Sequence, residues 1–348
     1  MLPKSNSGGK AAGISAPRRR RLSAEEYIEG VLRGDRIILA RAITLIESSL
    51  PADAELAARV LEGVLPHTGD SRRVGITGVP GVGKSTFIDT LGLHLIRDYG
   101  EKVAVLSVDP SSPVSGGSIL GDKTRMERLS LEEKAFIRPS PSRGHLGGVT
   151  LHTREAILLC EAAGYKNILV ETVGVGQSEV AARSMTDFFL LLMLPGAGDE
   201  LQGIKRGIIE MIDGMAINKA DGDNKARAKR AKAEYSRALR LLPAGPDRWR
   251  PPVMTCSALT GEGIPELWKM VLAHQEHRKA SGHFEERRSQ QSLAWMHELI
   301  ATGLENLFRS DPAVAARIPA LEESVRTGKV SSFAAAQQLL SLFRKKEQ

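Results

Sequence analysis

The feature that most constrains this chain is the segment Gly78 to Thr86, which reads GVPGVGKST. It fits the pattern G-x-x-x-x-G-K-[ST], in which glycines let backbone N–H groups close around a phosphate. The preceding segment, Arg72 to Thr77, predicts a short strand, and Ser85 to Leu95 carries apolar residues at helical spacing. This order of strand, loop and helix is the context that such a loop requires. The alternative is a glycine-rich turn before an ordinary helix.

The loop predicts a role for two polar side chains. Lys84 is expected to reach the β- and γ-phosphates of a nucleotide, and the Ser85 hydroxyl to ligate Mg²⁺. The helix that follows directs the positive end of its dipole at the same anion. The nucleotide-binding residues predicted in this loop are Gly78, Val79, Pro80, Gly81, Val82, Gly83, Lys84, Ser85 and Thr86.

Length and composition are those of a globular protein. The chain has 348 residues, of which 42% are hydrophobic and 26% charged, which is enough for one large domain with helical additions. The strongest apolar run, Phe188 to Leu194, has the length of a strand and not of a membrane span, so we expect no membrane partner. Cys160 and Cys256 lie far apart, which indicates buried thiols in a reducing compartment.

The net charge of +7 comes mostly from the N-terminus. Residues 1–21 contain six Lys and Arg residues and no acid, so the remainder of the chain is nearly neutral. This distribution disfavours a nucleic-acid partner and a ribosome-associated function. The tail indicates a disordered, solvated leader, or a transit peptide because it is rich in Arg and contains Ser. We expect a cytoplasmic location, with the mitochondrial matrix as the alternative if the tail is a transit peptide.

Beyond the phosphate loop, the pattern predicts an α/β fold with a mostly parallel central sheet flanked by helices. Strands and helices alternate, and continuous apolar runs indicate burial of the sheet on both faces. The candidate strands are Val103 to Val108, Asn167 to Glu171, Phe188 to Leu194, Met211 to Asn218 and Pro252 to Ser257. Before the first strand, the capping box Ser23-Ala24-Glu25-Glu26 predicts the start of a helical N-terminal extension.

From about residue 278 the composition changes to long helical patterns. A helix beginning near His283 carries an apolar stripe, and a last helix covers Phe333 to Phe343. The stripe consists of Leu293, Met296, Ile300, Leu304 and Leu307. Such a stripe must be covered, either by the body of this chain or by a second copy of it.

A second motif indicates which base the nucleotide carries. Asn218-Lys219-Ala220-Asp221 ends a predicted strand and has the form N-K-x-D. A carboxylate can accept hydrogen bonds from both N1–H and the exocyclic amine of guanine, a pair that adenine does not offer. Ser257-Ala258-Leu259, after the next strand, matches the loop whose backbone supports guanine O6. Three motifs in this order, each at a strand end, favour GTP over ATP.

Three acidic residues complete the predicted site. Asp109 follows the second strand in VDPSS, Asp122 lies in the loop sequence GDKTR, and Glu171 ends the third strand in ETVG, where most GTPases carry D-x-x-G. We expect Lys84 and these three acids to be catalytic, and Ser85 with the three acids to hold Mg²⁺. The alternatives are that Asp109 caps a turn and that Asp122 caps a helix.

Taken together, these segments closely resemble the MeaB/ArgK/MMAA family. The resemblance rests on VPGVGKS at 79–85, VDPSS at 108–112, GDKTRM at 121–126, ETVGVGQSE at 171–179 and PGAGDELQGIK at 195–205, and it runs from about residue 25 to the C-terminus. Members of the family are GTPase chaperones of adenosylcobalamin-dependent acyl-CoA mutases, which gate cofactor delivery and protect or rescue the mutase. The resemblance therefore implies GTP or GDP and Mg²⁺ as bound groups, and a mutase and a second copy of the chain as partners.

The resemblance also implies an additional switch loop at 199–207 that faces the mutase, with Asp199, Glu200, Gln202 and Lys205 as its candidate contacts. Composition alone would make this loop a glycine-rich surface turn. We predict a disordered basic tail at 1–22, an N-terminal helical extension at 23–70, a P-loop GTPase domain at 71–277 and a helical dimerisation arm at 278–348. The competing hypothesis is a kinase or ATPase of an arginine/ornithine transport system, which the base-reading motif and the switch loops disfavour.

Overall fold

A computed structural model describes residues 20–48, 50–108, 126–139, 148–172, 177–196, 206–241, 243 and 247–344 of the chain. Within them, one parallel sheet has the strand order β3-β2-β4-β1-β5-β6-β7. The strands are β1 (Arg72–Gly78), β2 (Val103–Val108), β3 (Ala135–Arg138), β4 (Asn167–Thr172), β5 (Phe188–Met193), β6 (Gly214–Ile217) and β7 (Val253–Thr255). The predicted α/β class with a parallel sheet is confirmed.

Helices precede, connect and follow these strands. They are α1 (Ala24–Leu32), α2 (Arg36–Ile46), α3 (Pro51–Val64), α4 (Lys84–Asp98), α5 (Glu127–Ser130), α6 (Gly148–Ala162), α7 (Gln177–Met185), α8 (Arg206–Ile209), α9 (Lys225–Arg240), α10 (Ile264–Ala280), α11 (His283–Ser310), α12 (Pro312–Arg326) and α13 (Ser332–Arg344), with short 3-10 helices at Leu65–His67 and Gly222–Asn224. The predicted capping box is present, since Ser23 Oγ accepts from the Glu26 N–H and the Glu26 carboxylate accepts from the Ser23 N–H.

The sheet is buried on both faces, as its apolar strands predict. One face packs against α6, α7 and α9, and the N-terminal helices α1, α2 and α3 pack on the outside of α6. The other face packs against α4, α5 and α10. With both faces covered, a ligand of this sheet is expected at the carboxyl ends of the strands, where an open parallel sheet leaves a crevice. Cys160 and Cys256 are free and buried, which confirms the prediction of buried thiols.

The sequence does not predict β3, and three other strands are shorter than predicted. β3 has four residues and pairs with β2 alone among the described strands, so no long apolar run marks it. The segment predicted from Met211 to Asn218 contributes only Gly214–Ile217 to the sheet. Its first residues form a turn that brings Asp213 to the start of β6, and Asn218 already faces the loops at the other end.

The first turns of α11 are tied to the amino edge of the sheet. Arg288 of α11 donates to both carboxylate oxygens of Asp187, at 2.9 and 2.7 Å, and to the backbone oxygen of Ser71 at 2.7 Å. Asp187 also accepts from the backbone N–H of Arg73 at 2.9 Å. The arm therefore joins the body at the edge opposite to the loop that follows β1.

The predicted apolar stripe of α11 faces solvent in the single chain. Leu293, Met296, Ile300, Leu304 and Leu307 are between 46% and 62% exposed. Trp295 of the same helix is buried instead, and its indole N–H donates to Glu155 Oε1 at 2.8 Å. The boundary predicted between residues 277 and 278 falls within α10, which ends at Ala280. None of the helices described has the length and hydrophobicity that crossing a bilayer requires.

Candidate functional site

The loop after β1 has the backbone geometry of a phosphate cradle. Gly83, the N-cap of α4, has a φ of 92°, and a Cβ there would lie 3.1 Å from Nδ2 of Asn218. At Gly78, a Cβ would lie 2.5 Å from the backbone oxygen of Leu192. These two positions therefore require glycine. The amino end of α4 consequently points its free N–H groups and its positive dipole end at the space in front of the loop.

Lys84 lies against the same loop. Its Nζ donates to the backbone oxygen of Gly78 at 2.8 Å and lies 3.5 Å from that of Val79. Because a phosphate oxygen carries formal charge, it is a stronger acceptor for an ammonium group than a peptide carbonyl. The lysine is thus held close to where the motif predicts a phosphate and can exchange a carbonyl partner for it.

Ser85 and Glu171 form the part of the predicted metal site that the structure describes. Ser85 Oγ donates to Glu171 Oε1 at 3.0 Å, and Glu171 is 5% exposed. The register of β1 with β4, Ile76 opposite Glu171, brings this carboxylate beside the phosphate loop. A hydroxyl and a carboxylate are hard oxygen ligands of the kind that Mg²⁺ binds together with phosphate oxygens and water. The pair therefore fits Mg²⁺.

In the described part of the chain, no three His, Cys, Asp or Glu side chains converge as a metal-binding group. The other two predicted ligands, Asp109 and Asp122, lie outside that part, as do the predicted partner-facing residues Asp199, Glu200, Gln202 and Lys205. A Mg²⁺ site in a nucleotide-binding protein needs one or two protein ligands besides the substrate, so Ser85 and Glu171 are sufficient in number.

Asn218 joins the base-reading loop to the phosphate loop. Its Nδ2 donates to the backbone oxygen of Val82 at 2.8 Å, and its Oδ1 accepts from the Ala258 N–H at 3.0 Å. Lys219, in the left-handed conformation with a φ of 56°, donates from Nζ to the backbone oxygen of Gly81 at 2.8 Å. Two adjacent side chains thereby hold together the loops that follow β1, β6 and β7.

The Asp221 carboxylate is oriented from the loop after β7. Ser257 Oγ donates to Asp221 Oδ2, and the Ala220 N–H donates to the backbone oxygen of Cys256 at 3.0 Å. Because a carboxylate has about four acceptor positions, one hydroxyl donor leaves it able to accept from a base. Leu259 of the same loop is exposed. The structure thus places Asn218, Lys219, Asp221 and the loop 257–259 around the amino end of α4.

Two supporting contacts were not found by sequence reasoning. Thr90, in the second turn of α4, donates from Oγ1 to the backbone oxygen of Ala258 at 2.6 Å. Lys225 pairs with Glu262 at 2.9 Å and so links the start of α9 to the loop after β7. Neither pair has a sequence signal, because each joins segments far apart in the chain. Cys256 lies beneath these loops, and burial raises its pKa to about 12, so it remains a thiol.

Comparison with known proteins agrees with this arrangement. Residues 39–313 match the family described as "Methylmalonyl Co-A mutase-associated GTPase MeaB". A "Putative GTPase" of Caulobacter vibrioides is 55% identical over 90% of this chain and 95% of its own length. The mouse protein "Methylmalonic aciduria type A homolog, mitochondrial" is 47% identical over 90% of this chain and 78% of its own.

Among solved structures, one titled "Crystal structure of LAO/AO transport system kinase" is 37% identical, with a TM-score of 0.72 over 92% of this chain and 97% of that one. The family match covers the phosphate loop, the Ser85–Glu171 pair and the base-reading loops alike. This chain therefore belongs to the MeaB/ArgK/MMAA family of P-loop GTPases, and its enzymatic activity is the hydrolysis of GTP.

Proposed function

We propose that this GTPase is a chaperone of an adenosylcobalamin-dependent acyl-CoA mutase, either methylmalonyl-CoA mutase or a relative. In this role it gates cobalamin loading and protects or reactivates the mutase. The observation that carries the proposal is the family match, because its description names the mutase and it spans the entire described nucleotide site. The name of the mouse relative supports the same partner.

The described residues support a proposal for how GTP is held. The backbone of 78–86 surrounds the β-phosphate, and Lys84 moves from the Gly78 carbonyl to the β- and γ-phosphate oxygens, where it stabilises the charge that develops during cleavage. Ser85 and Glu171 would hold Mg²⁺, which would supply positive charge to the phosphate oxygens. Asp221 accepts hydrogen bonds from guanine, and its loop is kept in place by the contacts of Asn218.

Hydrolysis in the free protein is expected to be slow. Asp109 and Asp122 are the remaining acids for the γ-phosphate, and we propose that docking of the mutase brings them into the catalytic arrangement through the loop 199–207. Reciprocity of coupling then requires that the nucleotide change the affinity for the mutase by the same factor as the mutase changes the affinity for the nucleotide.

The test is GTP hydrolysis with and without the mutase. The mutase should accelerate GTP hydrolysis by the wild type. Asp199→Ala and Lys205→Ala should retain basal hydrolysis and nucleotide affinity but lose most of this acceleration. If both variants respond as the wild type does, the loop 199–207 is not the coupling element, and Asp122 and its neighbours become the next candidates. If the wild type neither binds the mutase in any nucleotide state nor responds to it, the chaperone proposal is wrong.

One observation favours a second candidate, a kinase of an amino-acid transport system. The solved structure at 37% identity carries that function in its title. Incubation with GTP labelled at the γ-phosphate distinguishes the two candidates. A chaperone GTPase releases the label as inorganic phosphate, whereas stoichiometric transfer of the label to a transport protein would favour the kinase.

A further inference from the structure

The helix α9 presents a cationic surface to solvent next to the base-reading loops. It contains seven Lys and Arg residues and a single acid, Glu234. Its opposite face is buried in the core and consists of Ala228, Ala231, Tyr235 and Leu239. The helix is therefore anchored by small and apolar side chains, and its charges are not needed to hold it on the sheet.

Most of these cations have no anionic partner among the residues that the structure describes. Lys225 pairs with Glu262 at 2.9 Å, but six side chains make no ion pair or hydrogen bond with any residue that the structure describes. These six are Arg227, Lys229, Arg230, Lys232, Arg237 and Arg240. Exposed arginines elsewhere are commonly paired, as Arg59 is with Glu25 and Arg309 with Glu305, each at 2.8 Å. Like charges three and four residues apart repel along a helix, so the row destabilises α9 as long as nothing binds it.

Three of the arginines lie on one side of the helix. Arg230, Arg237 and Arg240 are spaced by seven and three residues, which places them on the same side of the helix over about 15 Å. The guanidinium groups can pair bidentately with carboxylates presented by a rigid surface. We propose that this arginine row of α9 is a docking surface for an acidic patch on a partner protein. The identity of that partner as the acyl-CoA mutase rests on the function proposed above.

The surroundings of the arginine row favour a protein over a nucleic acid or a membrane. Glu234 lies near the middle of the exposed face. Its carboxylate repels a phosphate backbone, which is negative throughout, whereas a protein partner can present a hydrogen-bond donor to it. The uncharged exposed positions within α9 are alanines, so the exposed face has no aromatic side chain for base stacking and no large apolar side chain to insert into a bilayer. Leu241, exposed directly after the helix, adds an apolar contact suited to a protein interface.

The test compares two triple variants of the full chain with equal charge loss. One is Arg230→Gln, Arg237→Gln, Arg240→Gln in α9. The matched control is Arg33→Gln, Arg59→Gln, Arg97→Gln, three exposed positions elsewhere on the body. Association with methylmalonyl-CoA mutase is followed by stopped flow at about 50 to 300 mM salt, a range over which screening of exposed charges changes strongly.

We expect the α9 variant to lose about tenfold or more in association rate at low salt and to show a flatter salt dependence, because unpaired surface charges act mainly on the rate of encounter. The control should associate as the wild type does, and all three proteins should hydrolyse GTP at the same basal rate. Equal behaviour of the two variants would overturn the docking proposal, while binding of the wild type would leave the proposed function in place.

Two further probes cover the other outcomes. If the wild type does not bind the mutase, the proposed function fails, and a glutamate-rich helical peptide then tests α9 alone. Loss of peptide binding in the α9 variant but not in the control supports an acidic protein partner. Equal peptide binding by the two variants overturns the docking proposal. A duplex DNA of about 20 base pairs is the last probe. If the wild type binds it more tightly than the mutase or the peptide at the same salt, and only the α9 variant loses it, the surface is a nucleic-acid site and the proposal is wrong.

Discussion

At the scale of single residues, the site depends on side chains that connect loops. Asn218 reaches the phosphate loop at Val82 and the loop after β7 at Ala258, while Ser257 orients the carboxylate of Asp221. The motif residues therefore act on one another before any ligand binds. Each can be tested by a substitution that changes one hydrogen-bonding group and leaves the surrounding contacts in place.

Replacing the base-reading carboxylate should change the base that is bound. We expect Asp221→Asn to weaken GTP binding by roughly 10- to 100-fold, because a hydrogen bond to a charged group contributes about 1.5–3 kcal/mol. The amide should improve binding of xanthosine triphosphate, since it can donate to the exocyclic oxygen of xanthine. Calorimetry with both nucleotides and with ATP measures this. Asp223→Asn, an equal charge change at an exposed position two residues away, should bind as the wild type does. Equal affinity of the wild type for ATP and GTP would contradict the guanine assignment.

Removing the phosphate-loop lysine should abolish turnover without unfolding the chain. We expect Lys84→Ala to lower GTP hydrolysis by about 100-fold or more, because it removes a cation placed where charge develops. The midpoint of thermal unfolding should stay close to that of the wild type. Lys102→Ala is the control, since Lys102 also donates to a backbone oxygen, that of Ala163 at 3.2 Å, but away from the site. A Lys84→Ala variant with normal hydrolysis would show that the loop is not catalytic.

At the scale of elements, buried ion pairs join α11 to the amino edge of the sheet. Burial raises the pKa of Asp187, but the hydrogen bond and charge of Arg288, together with the charge of Arg73, hold that pKa below its usual value. The pKa of Glu161 is likewise lowered against burial by Arg73, which donates to it at 2.8 and 2.9 Å. The stability that these two ion pairs give to the arm and to the first strand therefore depends on pH.

The contribution of these two ion pairs to the free energy of unfolding should fall only at acidic pH. A carboxyl group with a lowered pKa in the folded state adds stability above its unfolded pKa of about 4, and this stability is lost as the pH falls through the lower folded value. We therefore expect the contribution of Asp187 and Glu161 to the free energy of unfolding to be constant between about pH 5 and 7 and to decline below about pH 4. Urea unfolding across this range measures it. A decline that begins near neutral pH would contradict the assignment to these carboxylates.

Breaking one partner of the α11 ion pair should cost much more than breaking a surface pair. We expect Arg288→Met to lower the free energy of unfolding by about 3–5 kcal/mol at neutral pH, because it removes the guanidinium that pairs with the buried Asp187 carboxylate. Adding Asp187→Asn should restore part of the loss. Arg309→Met removes the partner of exposed Glu305 and should cost about 0–1 kcal/mol. Equal losses in the two single variants would mean that the pair does not anchor α11.

At the scale of the whole molecule, no residue that the structure describes covers one long surface of the arm. The stripe of α11 is half exposed over several turns, while the first turns of the helix are pinned to the body by Arg288. A large exposed apolar patch on an otherwise well-packed protein marks an interaction surface. We propose that a second copy of the chain covers the stripe and that the protein is a homodimer.

Charge placed in the stripe should therefore separate the dimer. We expect the full chain with Ile300→Glu and Leu304→Glu to be monomeric by light scattering. Because both positions are exposed in one copy, the variant should be as stable to unfolding as a wild-type monomer. Leu131→Glu is the control, since Leu131 is a leucine on the body that is also exposed, at 84%. If the double variant remains a dimer, the stripe is not the interface, and if the wild type is itself a monomer, the arm serves another partner.

Local sequence patterns were sufficient to predict the structural features that depend on residues close together in the chain. The capping box at Ser23, the strand, loop and helix around Lys84, and the long helix from His283 follow from residues that contact others three to seven positions away. The α/β class follows as well, because buried parallel strands require continuous apolar runs. These features could be predicted because a short segment carries the whole of their physical cause.

Contacts between distant segments required the tertiary structure. The chain orders its strands β3-β2-β4-β1-β5-β6-β7, and this pairing brings Ser85 to Glu171 across 86 residues and Arg288 to Asp187 across 101. No local pattern encodes such pairs, since they result from the packing of helices on both faces of the sheet. For the same reason the sequence indicates only a solvated face for the cations of α9. The structure shows that Lys225 pairs with Glu262 and that the other six have no ion-pair partner among the described residues.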